Sequence, residues 1–355
     1  MSRFFSQKYA ALVPYTPGEQ PKDNTDTIKL NTNESPFPPH PAVAAAVAEE
    51  CGRLNLYSDP ACAALHRKLA EVYGVRPEQV IATNGSDEAL NFAFLAFGDG
   101  ANPLVFPDIT YGFYPVFAAL DQIPYEEIPV QEDLSIRPED YMGINKTVVL
   151  ANPNAPTGLS LGLDVIEQIV KSNPDNVVIV DEAYVDFGGK SAVSLVDRYE
   201  NLLVVQTFSK SRSMAGARLG FAIGNEKLIA DMNTIKFSTN PYNVNRMTAA
   251  AGCAALAHND YYMDNCRVIM ENRAYTTRAL RDLGFEVLDS DTNFIFARCG
   301  SLSGEELNRR LRQKGILVRH FKAERIKDFL RISIGTREQM ERFVAAVASI
   351  LEETK

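Results

Sequence analysis

From about residue 60 to residue 224 the chain alternates short apolar runs with segments of helical periodicity. "CAALHRKLAEVYG" has helical spacing and closes on Gly74. "QVIAT" then reads as a strand, "SDEALNFAFLAFG" as an amphipathic helix, "NPLVFP" as a strand, "YGFYPVFAALD" as a helix and "KTVVLAN" as a strand. "LDVIEQIVKSN" is a further helix, and "NVVIVDEAY", "NLLVVQTF" and "ARLGFAIG" are strands. Strands this short and uniformly apolar have no face for water, so both faces must be covered. Helices alternating with them supply the cover, which is the signature of a mainly parallel α/β sheet. Past about Asn245 a long helical stretch is followed by "FEVLD", "NFIFARC", "GILVR" and "FLRISIG", four short strands with helices between and after. That α+β pattern reads as a second, smaller domain. The first forty residues, rich in Pro, Asn and Thr, read as an extended arm that must lie on a groove of its own fold or on a neighbouring subunit. The expected division is an arm over 1–40, a large domain over 41–245 and a small domain over 246–355.

Composition excludes several functions. There are 36 basic and 45 acidic residues, a net charge of −9, and no basic block, so a nucleic-acid partner is not expected. Small anions need only a few local cations. Cys51, Cys62, Cys253, Cys266 and Cys299 include no C-x-x-C pair, and the four histidines are scattered, so neither a disulfide framework nor a metal site is expected. No run approaches the ~18 apolar residues of a membrane span. "MSRFFSQKYAALVPY" lacks a signal-peptide core. The expectation is a soluble, cytoplasmic protein with no membrane partner.

Ligands of open parallel sheets bind at the carboxyl ends of the strands, and the polar motifs stand there. Gly85-Ser86-Asp87-Glu88 follows "VIAT", Asn152 to Gly158 follows "TVVLA", Asp181 to Tyr184 follows "NVVIV", and Ser209-Lys210 follows "LLVVQTF". Lys210 offers an amine that can form a Schiff base with an aldehyde. The start of the helix at Ser86 and Asp87 offers free amides and a dipole to a phosphate, although Ser86 fits an ordinary N-cap as well. Asp181, at the end of an apolar strand, needs a partner for its charge; a protonated pyridine nitrogen would serve, and so would a helix cap. Tyr184 can donate to a phenolate oxygen. Tyr111 can stack on a planar ring or pack in the core. Thr207, Ser209 and Arg218 can hold a phosphate. Taken together these groups describe a site for pyridoxal 5′-phosphate.

The ordered set "GSDEAL", "NPNAPTG", "DEAYVDF" and "SKSRSMAGARLGF" resembles the fold type I pyridoxal-phosphate enzymes, the class I/II aminotransferases. "YTPG…IKLNTNESPFPPHP", "NLYSDP", "NPYNVN" and "FLRISIGTREQM" resemble the histidinol-phosphate aminotransferase family within them. The resemblance implies a mainly parallel seven-stranded sheet in the large domain and a homodimer. It implies that Lys210 bears the cofactor and shuttles the Cα proton, with Asp181 at the ring nitrogen, Tyr184 at the 3-hydroxyl and Tyr111 on the ring. Ser86, Asp87, Ser209 and Arg218 would hold the phosphate, with Tyr57 reaching it from the other subunit. Tyr15 and Asn33 would cover the substrate, Arg331 would receive its anionic end and Arg319 would be a second cation for a substrate phosphate. The substrates implied are histidinol phosphate and glutamate or 2-oxoglutarate. The alternatives are an aromatic amino acid aminotransferase and, in another class, a ligand-sensing domain without catalysis. One position departs from the family: where it has Asn before Pro-Thr-Gly, this chain has Ala155, with Asn154 one residue earlier. Either Asn154 contacts the 3-hydroxyl through a shifted loop, or Tyr184 does so alone.

Overall fold

The structure, a computed structural model, describes residues 2–21 and 27–354. In chain order its strands are β1 (Ile28–Leu30), β2 (Val80–Thr83), β3 (Leu104–Pro107), β4 (Tyr125–Ile128), β5 (Thr147–Ala151), β6 (Val178–Asp181), β7 (Leu202–Thr207), β8 (Gly220–Gly224), β9 (Phe285–Val287), β10 (Phe294–Cys299), β11 (Ile316–His320) and β12 (Phe329–Ser333). The helices are α1 (Pro41–Cys51), α2 (Ala63–Tyr73), α3 (Ser86–Phe97), α4 (Tyr114–Asp121), α5 (Leu163–Ser172), α6 (Glu226–Thr239), α7 (Arg246–Ala257), α8 (Asn259–Asp282), α9 (Gly304–Gln313) and α10 (Arg337–Glu352).

Seven strands form one sheet in the order β2-β8-β7-β6-β5-β3-β4. All neighbours are parallel except β8, which runs antiparallel to β2 and β7. The alternation of side chains shows how the apolar runs are used. Val148, Leu150, Val178, Val180, Leu202 and Val204 pack into one core with α2, α5 and α7. Val149, Ile179, Leu203 and Val205 pack into the other with α3, α4 and α6. Each such side chain, removed fully from water, contributes roughly 1.5–3 kcal/mol. β4 was not foreseen: it is a polar edge strand, "YEEI", exposed along most of its length, and an edge facing water carries no apolar signal.

The second sheet has the order β1-β11-β12-β10-β9. β1 comes from the arm and pairs parallel with β11, burying Ile28 and Leu30. The arm therefore lies on its own chain around residues 28–33; residues 22–26 fall outside the described residues. Val244, Ala251, Ala255 and Leu256 belong to the core of the first sheet, whereas Ile269 and Leu280 of α8 belong to that of the second. Core membership thus changes within α8, where Tyr262 packs with the first core and Cys266 with the second.

The start of α3 is pressed onto β8. A Cβ on Gly220 would lie 2.3 Å from the Ser86 backbone nitrogen, and Gly85 has φ +82° with the Arg218 guanidinium beside it. Backbone-to-backbone approach of this kind cannot relax by rotating a side chain. Gly220→Ala is expected to lower stability by about 3 kcal/mol and to displace the start of α3. Urea unfolding followed by circular dichroism measures this; an unchanged midpoint would contradict it.

Candidate active site

The carboxyl ends of β5, β6 and β7 are in register, with Ala151 opposite Asp181 and Asp181 opposite Val205. A cavity of about 160 Å³ opens above them, lined in part by Ser86, Asp87, Tyr111, Asp181, Tyr184 and Lys210. Ser209 and Arg218 also line it. Parallel strands thus bring together groups that lie far apart in the chain.

Asp181 is 5% exposed and has no cation beside it among the described residues. Tyr114 donates its hydroxyl to Oδ2 at 2.8 Å, and the Ala183 amide donates to Oδ1 at 3.2 Å. Burial outweighs these two bonds and pushes the carboxyl up to about 6. A charge held this way is suited to a cationic N–H delivered by a ligand. Tyr114 was missed from the sequence, although it lies one helical turn after Tyr111 in "YGFYPVF"; nothing local marks which tyrosine reaches a neighbouring strand.

Asp87 ties one wall together. Tyr111 donates to its Oδ1 at 2.8 Å, and Arg218 pairs with Oδ2 at 3.1 Å. Arg218, with φ 53°, also donates to Ser209 Oγ at 3.3 Å, and Thr207 Oγ1 lies 3.0 Å from Ser209 Oγ. Ser86 is the first residue of α3 and Gly85 is the cap, so the expected Ser86 N-cap is not formed. Ser86 and Asp87, the first two residues of α3, line the cavity together with Arg218, and a helix start beside a guanidinium is an arrangement fit for a phosphate.

Lys210 Nζ donates to the Thr32 carbonyl at 3.1 Å, a contact with the arm that the sequence does not disclose. Lys210, Tyr111, Ala155 and Tyr184 also line a second chamber of about 360 Å³. Tyr15, Asn33, Arg319 and Arg331 are among its other walls. Tyr15 packs on Phe113 with ring centroids 4.6 Å apart. Arg319 and Arg331 stand opposite each other on β11 and β12. Neither has a carboxylate partner among the described residues: Arg319 donates to the Thr16 carbonyl at 3.2 Å and Arg331 to the Asn31 carbonyl at 3.3 Å, and the buried Nε of Arg331 is unpartnered.

Two expected residues do not reach the cavity. Asn154 is buried and tied to the segment after β3: Oδ1 accepts from Thr110 at 2.7 Å and Nδ2 donates to the Ile109 carbonyl, and also to Thr157 Oγ1 in its own loop. Its amide is fully engaged, and the apolar Ala155 lines the wall instead. Tyr57 is 79% exposed and stacks on Tyr242 at 4.5 Å, outside both chambers of its own chain.

The aldehyde-reactive amine, the carboxylate lacking a cation and the phosphate cradle fit pyridoxal 5′-phosphate. The profile of the family described as aminotransferase class I and II matches residues 25–347. The histidinol-phosphate aminotransferase of Brachyspira hyodysenteriae is 47% identical, covering 99% of this chain and all of that protein. Histidinol-phosphate aminotransferase 2 of Dechloromonas aromatica is 49% identical, over 99% of each. The structure of the Sinorhizobium meliloti histidinol-phosphate aminotransferase in complex with pyridoxal-5′-phosphate superposes with a TM-score of 0.85 at 26% identity, covering 92% of both chains.

Burial raises both Asp181, to about 6, and the adjacent Glu182, to about 7. Both therefore bind protons more tightly folded than unfolded, so the stability these two groups contribute is fully present below the unfolded pKa near 4 and is lost as pH rises through the folded values. In the cofactor-free protein, Asp181→Asn should raise stability at pH 7.5 by up to roughly 3 kcal/mol while weakening cofactor retention. Thermal melts of both proteins at pH 5 and 7.5 check this; a variant less stable than the parent at pH 7.5 would contradict it.

Proposed function

The chain belongs to the aminotransferase class I and II family, and from that membership we propose a reversible transamination for it. Its substrates are L-histidinol phosphate with 2-oxoglutarate, and its products are imidazole-acetol phosphate with L-glutamate, a step of histidine biosynthesis. The observation that carries this reading is the pair Arg319 and Arg331, cross-strand neighbours without carboxylate partners among the described residues, facing a chamber that Lys210 shares with the cofactor cavity. Two adjacent guanidinium groups repel each other until an anion lies between them or on them.

The cofactor is pyridoxal 5′-phosphate, which when bound supplies an electron sink for the charge left at Cα. Lys210 would hold it, Asp181 would pair with its ring nitrogen, Tyr184 would donate to its 3-oxygen and Tyr111 would lie against its ring. The Ser86 and Asp87 amides, with Ser209 and Arg218, would take the phosphate. The Lys210 amine would be the base placed to take the proton from Cα. Arg331 receives the carboxylate of glutamate and the phosphate of histidinol phosphate in turn, and Arg319 adds a second cation for the phosphate. Tyr15 and the arm segment around Asn33 cover the chamber and exclude water.

We propose further that the protein is a homodimer of the cytoplasm. Leu54, Leu56 and Tyr57 are each more than half exposed on one loop, with Tyr242 stacked beside them, an apolar surface suited to a second copy. Tyr57 would then serve the other subunit's phosphate. Sedimentation velocity should give twice the 39.3 kDa chain mass; a monomer mass would contradict the dimer.

Arg331→Gln is expected to lower kcat/KM for histidinol phosphate and for glutamate alike, by about 100-fold or more. Arg319→Gln should lower it mainly for histidinol phosphate. Steady-state rates with each substrate decide the matter. Loss with only one substrate in Arg331→Gln would overturn the shared receptor, and unaltered histidinol-phosphate kinetics in both variants would overturn the substrate assignment.

A further inference from the structure

Tyr184 sits on the wall shared by the two chambers, and its hydroxyl has one hydrogen-bond partner among the described residues: Asn33 Nδ2, at 3.0 Å. Which of the two groups donates is fixed one bond further back. The Asn33 backbone N–H donates to Ser333 Oγ at 2.8 Å, and Ser333 Oγ donates to Asn33 Oδ1 at 2.9 Å. The Asn33 carbonyl is held by Asn293 Nδ2 at 2.9 Å, and its backbone is left-handed, φ 58°. With Oδ1 taken by the serine proton, the amide NH₂ must face Tyr184. The reverse orientation would leave the Ser333 proton without an acceptor among these atoms. An NH₂ group has only protons to offer, so the tyrosine oxygen accepts and its own proton points away from Asn33.

We propose that Asn33 is a positioning residue which, oriented by Ser333, makes the Tyr184 hydroxyl a donor directed into the cofactor cavity. The inference rests on the reading of that cavity as the pyridoxal-phosphate site. It has weight here because Ala155 offers no polar side chain and the Asn154 amide is engaged by Ile109, Thr110 and Thr157. The donor at the cofactor's 3-oxygen is thus Tyr184, and its direction is set from outside the large domain. Asn33 follows β1 in the arm, and Ser333 ends β12 in the second sheet.

The test reads visible absorbance of the holoenzyme against pH. A hydrogen bond donated to the 3-oxygen stabilises its deprotonated form and loosens its hold on the proton of the nitrogen contributed by Lys210. Losing the donor raises the pH midpoint of the colour change. Tyr184→Phe is expected to raise it by about one pH unit. Asn33→Gly suits the left-handed backbone and keeps the backbone bonds to Ser333 and Asn293; it should raise the midpoint by part of that amount. Ser333→Ala should shift it in the same direction. The double variant Asn33→Gly/Tyr184→Phe should match Tyr184→Phe alone, because Asn33 acts through the tyrosine. If Asn33→Gly and Ser333→Ala keep the parent midpoint while Tyr184→Phe moves, the relay is overturned and the cofactor reading stands. Additive shifts in the double variant also overturn it, since Asn33 would then act directly. A parent protein that takes up no coloured cofactor overturns both.

Discussion

Burial of the Asp181 carboxylate at the end of β6 is the constraint on which the rest of the site depends. The strand is covered on both faces, so water reaches the charge only from the cavity, and the two hydrogen bonds from Tyr114 and Ala183 offset only part of the penalty. The fold holds the group without a cation because the parallel sheet places three strand ends side by side and the helices close over them. A ligand bringing a cationic ring nitrogen would relieve the penalty, and the surrounding groups would fix the rest of that ligand: an amine just past β7, the residues at the start of α3, and the guanidinium that precedes β8.

The segment that carries Lys210 is itself held from behind. Glu182, fully buried, accepts from Ser191, from the Ala192 amide and from Gln206, and Gln206 accepts from Tyr73 at 2.7 Å. Arg212 donates to Tyr73 at 3.1 Å and pairs with Asp186 at 2.8 Å, while Ser211 donates to the same carboxylate. Gln206 precedes Lys210 and Ser211 and Arg212 follow it, so both flanks of the lysine are anchored in one buried polar network. Such a network favours one arrangement of the loop because each broken bond leaves a buried group unsatisfied.

Much of this was legible in the sequence, for a physical reason. Uniformly apolar runs read as buried strands, and polar residues directly after them as the ligand-binding edge; Asp181, Ser86 and Lys210 stand in that position, whereas Arg218 precedes β8 and is picked out by its place in the motif after Lys210. What was not legible depends on partners remote in the chain. β1 is three residues in a stretch rich in Pro and Asn, and it becomes a strand only because β11 offers an edge. β4 faces water. Tyr114 is one of two tyrosines a helical turn apart, and only packing decides which reaches Asp181. Asn154 and Ala155 are neighbours in one loop, and the turn, not the residue type, decides which faces the cavity. The Asn33–Ser333 pair joins the two ends of the chain and leaves no local trace.

The central claim is that the Lys210 amine and the paired arginines serve one transamination of an imidazole-bearing phosphate. Single-turnover absorbance of the pyridoxal-phosphate-loaded protein tests it most directly, with L-histidinol phosphate set beside L-phenylalanine and O-phospho-L-threonine. Rapid conversion of the bound cofactor to its amine form is expected with histidinol phosphate, restored by 2-oxoglutarate, and slow conversion with the other two. Faster conversion with phenylalanine, or no spectral change with any of the three, would contradict it.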